Sequence, residues 1–74
     1  MPKLPTISGR EAVTAFSRAG WSCVRQRGSH MILIRPGSLA SLSVPDHKEL
    51  AKGTLRALIR AAGLTLEEFV ALLD

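Results

Sequence analysis

The sequence has 74 residues, a formal net charge of +4, one cysteine, and 46% hydrophobic but only 4% aromatic residues. A chain this short makes one domain and buries only about 60% of its unfolded surface, so a surface site is expected rather than a deep cleft. The lone Cys23 excludes an internal disulfide and suits a reducing compartment, and no stretch approaches the roughly 20 apolar residues of a membrane span. Met1 to Pro5 has no apolar signal region, so a soluble cytoplasmic protein is expected.

Charge is unevenly spread. All ten basic residues lie between Lys3 and Arg60, against Glu11, Asp46 and Glu49, while the last fourteen positions hold Glu67, Glu68 and Asp74 and no base. A basic body points to a polyanionic partner. With one Trp, two Phe and no Tyr, an aromatic platform for base stacking is not expected.

Residues 1–7 carry two prolines and read as an extended lead-in. Ser8-Gly9-Arg10-Glu11 fits a capping box, and the helix after it places Ala12, Val13, Phe16 and Ala19 on one face before Gly20 stops it. Trp21 to Gln26 reads as a strand with Trp21, Cys23 and Arg25 on one face and Ser22, Val24 and Gln26 on the other. Gly28-Ser29 is a tight turn, and His30 opens a second strand. In that strand both Met31 with Leu33 and Ile32 with Ile34 are apolar, so a sheet covered on one side leaves one pair as a partner surface. Leu39 to Val44 gives a third strand with Ala40, Leu42 and Val44 on its apolar face, and Pro45 ends it. Asp46 to Leu50 is a polar loop holding His47.

Two amphipathic helices close the chain. Leu55, Leu58, Ile59 and Ala62 match the helical template after Lys52, while Lys52, Arg56 and Arg60 form a basic stripe at spacings of four. Thr65 and Glu68 make a second capping box, with Leu66, Phe69, Val70 and Leu73 behind it. The pair resembles a helix-turn-helix, but Glu67 and Glu68 in the second helix would repel DNA phosphates. Helix, three-stranded antiparallel sheet, helix and a further C-terminal helix make an α+β layout.

The hairpin is where chemistry is expected. Arg25 and Arg27 precede the turn and His30 follows it, so an imidazole stands near two guanidinium groups. Such a group can bind phosphate and move a proton. The plainer alternative is a strand-end histidine beside solvated edge charges. His47 reads as a loop histidine, and two histidines with one cysteine show no metal-ligand spacing.

Taken in order, Gly28-Ser29-His30 after a basic strand, Val44-Pro45-Asp46-His47, Lys52-Gly53-Thr54-Leu55 and Ala62-Gly63-Leu64-Thr65 resemble the HicA family of toxins, as does Gly20-Trp21 after the first helix. The resemblance runs from about Ile7 to Thr65, so 1–74 reads as a single HicA-like domain with 1–7 as lead-in and 66–74 as an added C-terminal helix. It implies a double-stranded-RNA-binding-domain-like fold, an mRNA interferase activity and a HicB-type antitoxin partner of a type II toxin–antitoxin pair; the cleavage chemistry itself requires no metal or cofactor. The resemblance makes His30 the catalytic histidine and leaves His47 without a role. Arg25, Arg27, Ser29, Lys52 and Arg56 are then the expected RNA-binding residues. Cleaving RNA requires a base for the ribose 2′-hydroxyl, an acid for the leaving 5′-oxygen and cations for the charge between them. The rival readings are a non-catalytic module that binds the RNA backbone, and a DNA-binding regulator.

Overall fold

Among the described residues, reciprocal capping starts two of the three helices. In α1, Gly9–Arg18, the Ser8 hydroxyl accepts from the Glu11 amide and the Glu11 carboxylate accepts from the Ser8 amide, both at 3.0 Å. Thr65 and Glu68 make the same pair of bonds at the start of α3, Leu66–Leu72. Each box satisfies two of the N–H groups that a helix start leaves without partners. Between them α2, Lys52–Ala61, begins at Ala51 without a side-chain cap and depends on burying Leu55, Leu58 and Ile59. The computed structural model describes residues 3–73, so Met1 and Pro2 of the expected lead-in and Asp74 of the expected last helix lie outside the described residues.

The sheet is antiparallel in the order β1 (Ser22–Arg27), β2 (His30–Ile34), β3 (Leu42–Pro45). The element order is the α+β, double-stranded-RNA-binding-like layout, with a third helix added. Met31 and Leu33 of β2 and Leu42 and Val44 of β3 are buried, whereas Ile34 is 46% exposed. The sheet therefore packs its Met31–Leu33 face on the helices and leaves the Ile32–Ile34 face open.

Two strand expectations are corrected. Strict alternation in β1 fails because Cys23 pairs with Leu33 and Arg25 with Ile32, which leaves Val24 as an extra residue in a bulge. The bulge separates Cys23 from Arg25: Cys23 and Gln26 lie opposite inward residues, Arg25 and Arg27 opposite outward ones. Val24 itself is half-exposed, and the bulge breaks the edge of the sheet, where an even strand invites foreign pairing. The third strand starts at Leu42, not Leu39. The Ser38 amide donates to the Arg35 carbonyl and the Ser38 hydroxyl accepts from the Ala40 amide, so local turn bonds hold this stretch off the ladder. Leu39 and Ala40 are accordingly exposed.

In α1 the buried stripe is Ala12, Ala15 and Phe16, with Val13 and Ala19 only partly covered. The flanks of the chain are more deeply used than their sequence suggests. Phe69 of α3 is fully buried with its ring 5.0 Å from that of Phe16, and the Arg18 guanidinium donates to the Leu72 carbonyl. Leu4 and Ile7 are also buried, and the Ile7 carbonyl accepts from the Leu50 amide at 2.8 Å. Among the described residues, no helix is long and apolar enough to cross a membrane.

Candidate nucleic-acid interface

The hairpin turn sets the backbone position of His30. Arg27 pairs with His30 across a two-residue turn in which Gly28 has φ +59° and Ser29 does not have positive φ. This is the sign pattern of a II′ turn, whose twist matches that of the strands. Gly28 has open space around it, so its glycine serves the backbone conformation rather than a close contact.

Register then sets the neighbours. His30 stands opposite Arg27 on β1 and Pro45 on β3, and Arg25 stands opposite Ile32. Residues directly opposite have β-carbons about 5 Å apart, and a diagonal neighbour is about 7–8 Å away, within reach of an arginine. Inward-facing Met31 and Val44 are the next pair along, so His30, Arg27, Arg25 and Ile32 share the open face. His30, Arg25 and Arg27 are all exposed. Three of the residues expected from sequence are thus brought together. Ser29 is held beside them by its backbone, its carbonyl accepting from the Asp46 amide at 2.6 Å.

Lys52 and Arg56 are placed differently. Helix α2 packs against β3 and α3 on the covered side of the sheet, so both residues belong to the helix layer. Both are exposed, but Arg56 and Arg60 flank an open pocket of about 280 Å³ floored by Ile59, Leu64 and Leu66. The basic stripe is therefore a second positive surface rather than part of the His30 face.

Sequence reasoning missed the residues that tie the hairpin to the rest of the fold. Asp46 Oδ1 accepts from Arg10 Nε at 3.2 Å, and Oδ2 accepts from Arg10 Nη2 at 3.3 Å and from Gln26 Nε2 at 3.4 Å. Gln26 Nε2 also donates to the Gly28 carbonyl at 3.2 Å. The Arg10 guanidinium bonded to Asp46 holds the carboxyl below its ordinary range, with Gln26 and the nearby His47 acting in the same direction. The Gly9 amide donates to the His47 carbonyl at 2.9 Å, and a β-carbon on Gly9 would lie 1.9 Å from the Pro45 carbonyl oxygen. The one available signal was Gly9 itself, since glycine in a first helical turn weakens the helix unless a close approach requires it. His47 is an exposed loop residue whose carbonyl receives that bond. Among the described residues, no group of three or more His, Cys, Asp and Glu side chains comes together in a way that could hold a metal ion.

Comparison with known proteins bears on the family and the fold. Residues 9–64 match the family model described as the HicA toxin of bacterial toxin-antitoxin. A chain of a solved toxin-antitoxin complex from Streptococcus pneumoniae is similar in fold, with a TM-score of 0.71 and 30% identity, over 78% of this chain and 98% of that one. No curated protein matches the sequence.

Proposed function

The chain belongs to the HicA toxin family, and from that premise we propose that it is a metal-independent cytoplasmic endoribonuclease that cuts mRNA on the open face of its sheet. His30 is the proton-transfer residue, and a HicB-type antitoxin is the inhibitor. The observation that carries this reading is the register that sets His30 opposite Arg27, with Arg25 on the same exposed face.

The chemistry follows from that arrangement. The imidazole of His30 accepts the proton of a ribose 2′-hydroxyl as its oxygen attacks the adjacent phosphorus. The bond from phosphorus to the 5′-oxygen then breaks, and that oxygen takes up a proton. Arg25 and Arg27 offset the negative charge that grows on the phosphoryl oxygens in between. A single placed imidazole supplies one of the two proton transfers and leaves the other to solvent, which predicts a slow enzyme. Ser29 and the two arginines hold the backbone of the substrate, and Lys52 and Arg56, on the separate positive surface of α2, add phosphate contacts away from the cut.

A partner that silences this face must cover a surface that is both basic and apolar. Arg25 stands opposite Ile32, and the half-exposed Ile34 lies farther along the same face. An antitoxin bringing acidic and apolar groups together fits both features.

The alternative is a module that binds RNA without cutting it. One observation favours it: His30 is exposed at a strand end rather than enclosed. Incubation of the purified protein with labelled RNA in excess chelator separates the two. Cleavage under those conditions supports the enzyme; binding without cleavage supports the module.

A further inference from the structure

We propose that Asp46 is the positioning residue of the His30 hairpin, acting through Arg10, Gln26 and the Ser29 carbonyl rather than by touching RNA. The inference rests on the reading of His30 as the proton-transfer group.

The hairpin needs an outside brace. Every residue of β1 is exposed, so burial holds that side of the hairpin weakly. Cross-strand pairing alone leaves the tip, Gly28-Ser29, as the end of a ladder. Asp46 extends the ladder past the last pair, His30 with Pro45, because its amide donates to the Ser29 carbonyl. Its carboxylate then gathers donors from two further elements: both bonds of the Arg10 fork from α1, and Gln26 from β1. Gln26 in turn holds the Gly28 carbonyl with the same nitrogen, so the network reaches both turn residues. The Asp46 side chain is only 21% exposed, whereas Arg10 is 77% exposed, which marks the carboxylate as the fixed centre and the guanidinium as the arm laid over it.

The approach of α1 completes the brace. Gly9 lets the helix backbone come close enough to the Pro45 carbonyl to donate to His47. The loop after β3 is thus gripped on one side by the start of α1 and on the other by the turn that precedes His30. A proton-transfer group must be held within a fraction of an ångström of its productive place, and a misplacement of about 1 Å costs roughly 10²-fold.

Two readouts test this, and the first needs no cleavage. Amide hydrogen exchange is followed by NMR in wild type, Asp46→Ala, Asp46→Asn and Arg10→Ala. Asp46→Ala should speed exchange of the amides at positions 46 and 9 by about tenfold or more while Leu58 and Ile59 in α2 keep their protection. The second readout is steady-state RNA cleavage. Asp46→Ala should lower kcat by about 10²-fold with KM nearly unchanged, and Asp46→Asn, which keeps one oxygen acceptor, should fall between Ala and wild type. Unchanged exchange at both amides overturns the brace whatever His30 does. Faster exchange with unaltered kcat, in a protein that His30→Ala inactivates, overturns the positioning role. If wild type cuts no RNA or His30→Ala is fully active, the ribonuclease reading fails instead, and exchange alone then decides whether Asp46 holds the turn.

Discussion

At the scale of single residues, Asp46 and Gly9 set limits on what the chain tolerates. The Asp46 carboxyl has its pKa lowered in the folded state, first by its hydrogen bonds from Arg10 and further by Gln26 and His47. A lowered folded pKa means stability that is present above the unfolded value, about 3.9, and is lost as pH falls through the folded one. Urea titrations of wild type and Asp46→Asn should therefore differ near pH 6, with the difference shrinking as acid protonates the folded carboxylate; a difference that does not change with pH would show that Asp46 contributes nothing through its charge. Gly9→Ala puts a methyl group into the space of the Pro45 carbonyl oxygen. The chain must shift there, at a cost of about 1–3 kcal/mol, measurable as a lower urea midpoint. Arg25, Arg27, Ser29 and His30 were legible as a cluster because they are close in sequence around one turn. Arg10 and Asp46 were not, because 36 positions separate them and neither carries a local signal of the other.

Among the elements, helices were the easiest to read and strand ends the hardest. Capping boxes at Ser8 and Thr65 and the apolar match from Leu55 to Ala62 are local patterns, and α1, α2 and α3 form where those patterns lie. The bulge at Val24 has no such pattern, since Ser22-Cys23-Val24-Arg25-Gln26-Arg27 lacks the apolar/polar alternation that would show which residue is extra. The late start of β3 likewise depends on Ser38 turn bonds rather than on hydrophobicity. Which apolar pair of β2 faces solvent needed the packing of the helices to decide. Helix α3 is the clearest case of a value hidden from sequence: it lies beyond residues 9–64 that match the family, yet Phe69 is fully buried against Phe16. Phe69→Ala should cost about 3–5 kcal/mol, the usual loss for a buried phenylalanine, and calorimetry should show a single, much lower transition. A change near zero would mean that α3 is only laid on the surface.

For the whole molecule, the two basic surfaces lie on opposite layers: Arg25 and Arg27 with His30 on the open sheet face, Lys52 and Arg56 on α2. Salt titration of RNA binding distinguishes their shares, because each phosphate contacted on a single strand contributes about 0.7 to the slope of log affinity against log salt. Replacing Arg25 and Arg27 together with Ala should reduce both slope and cleavage. Replacing Lys52 and Arg56 should reduce the slope while leaving the rate at saturating RNA nearly intact. A wild-type affinity independent of salt would contradict phosphate recognition by either surface. The layer order and the hairpin were readable from the sequence, but the split between the surfaces was not, since a helical stripe and a strand pair look alike as charge. The central claim is that His30 carries the chemistry, and His30→Ala tests it most directly. An exposed strand-end residue should cost no more than about 0.5 kcal/mol of stability when replaced. RNA binding should persist, because the arginines and lysines remain. Cleavage should fall by roughly 10²–10⁴-fold, the contribution of a placed general acid or base. A folded His30→Ala protein that cuts RNA at the wild-type rate would contradict it.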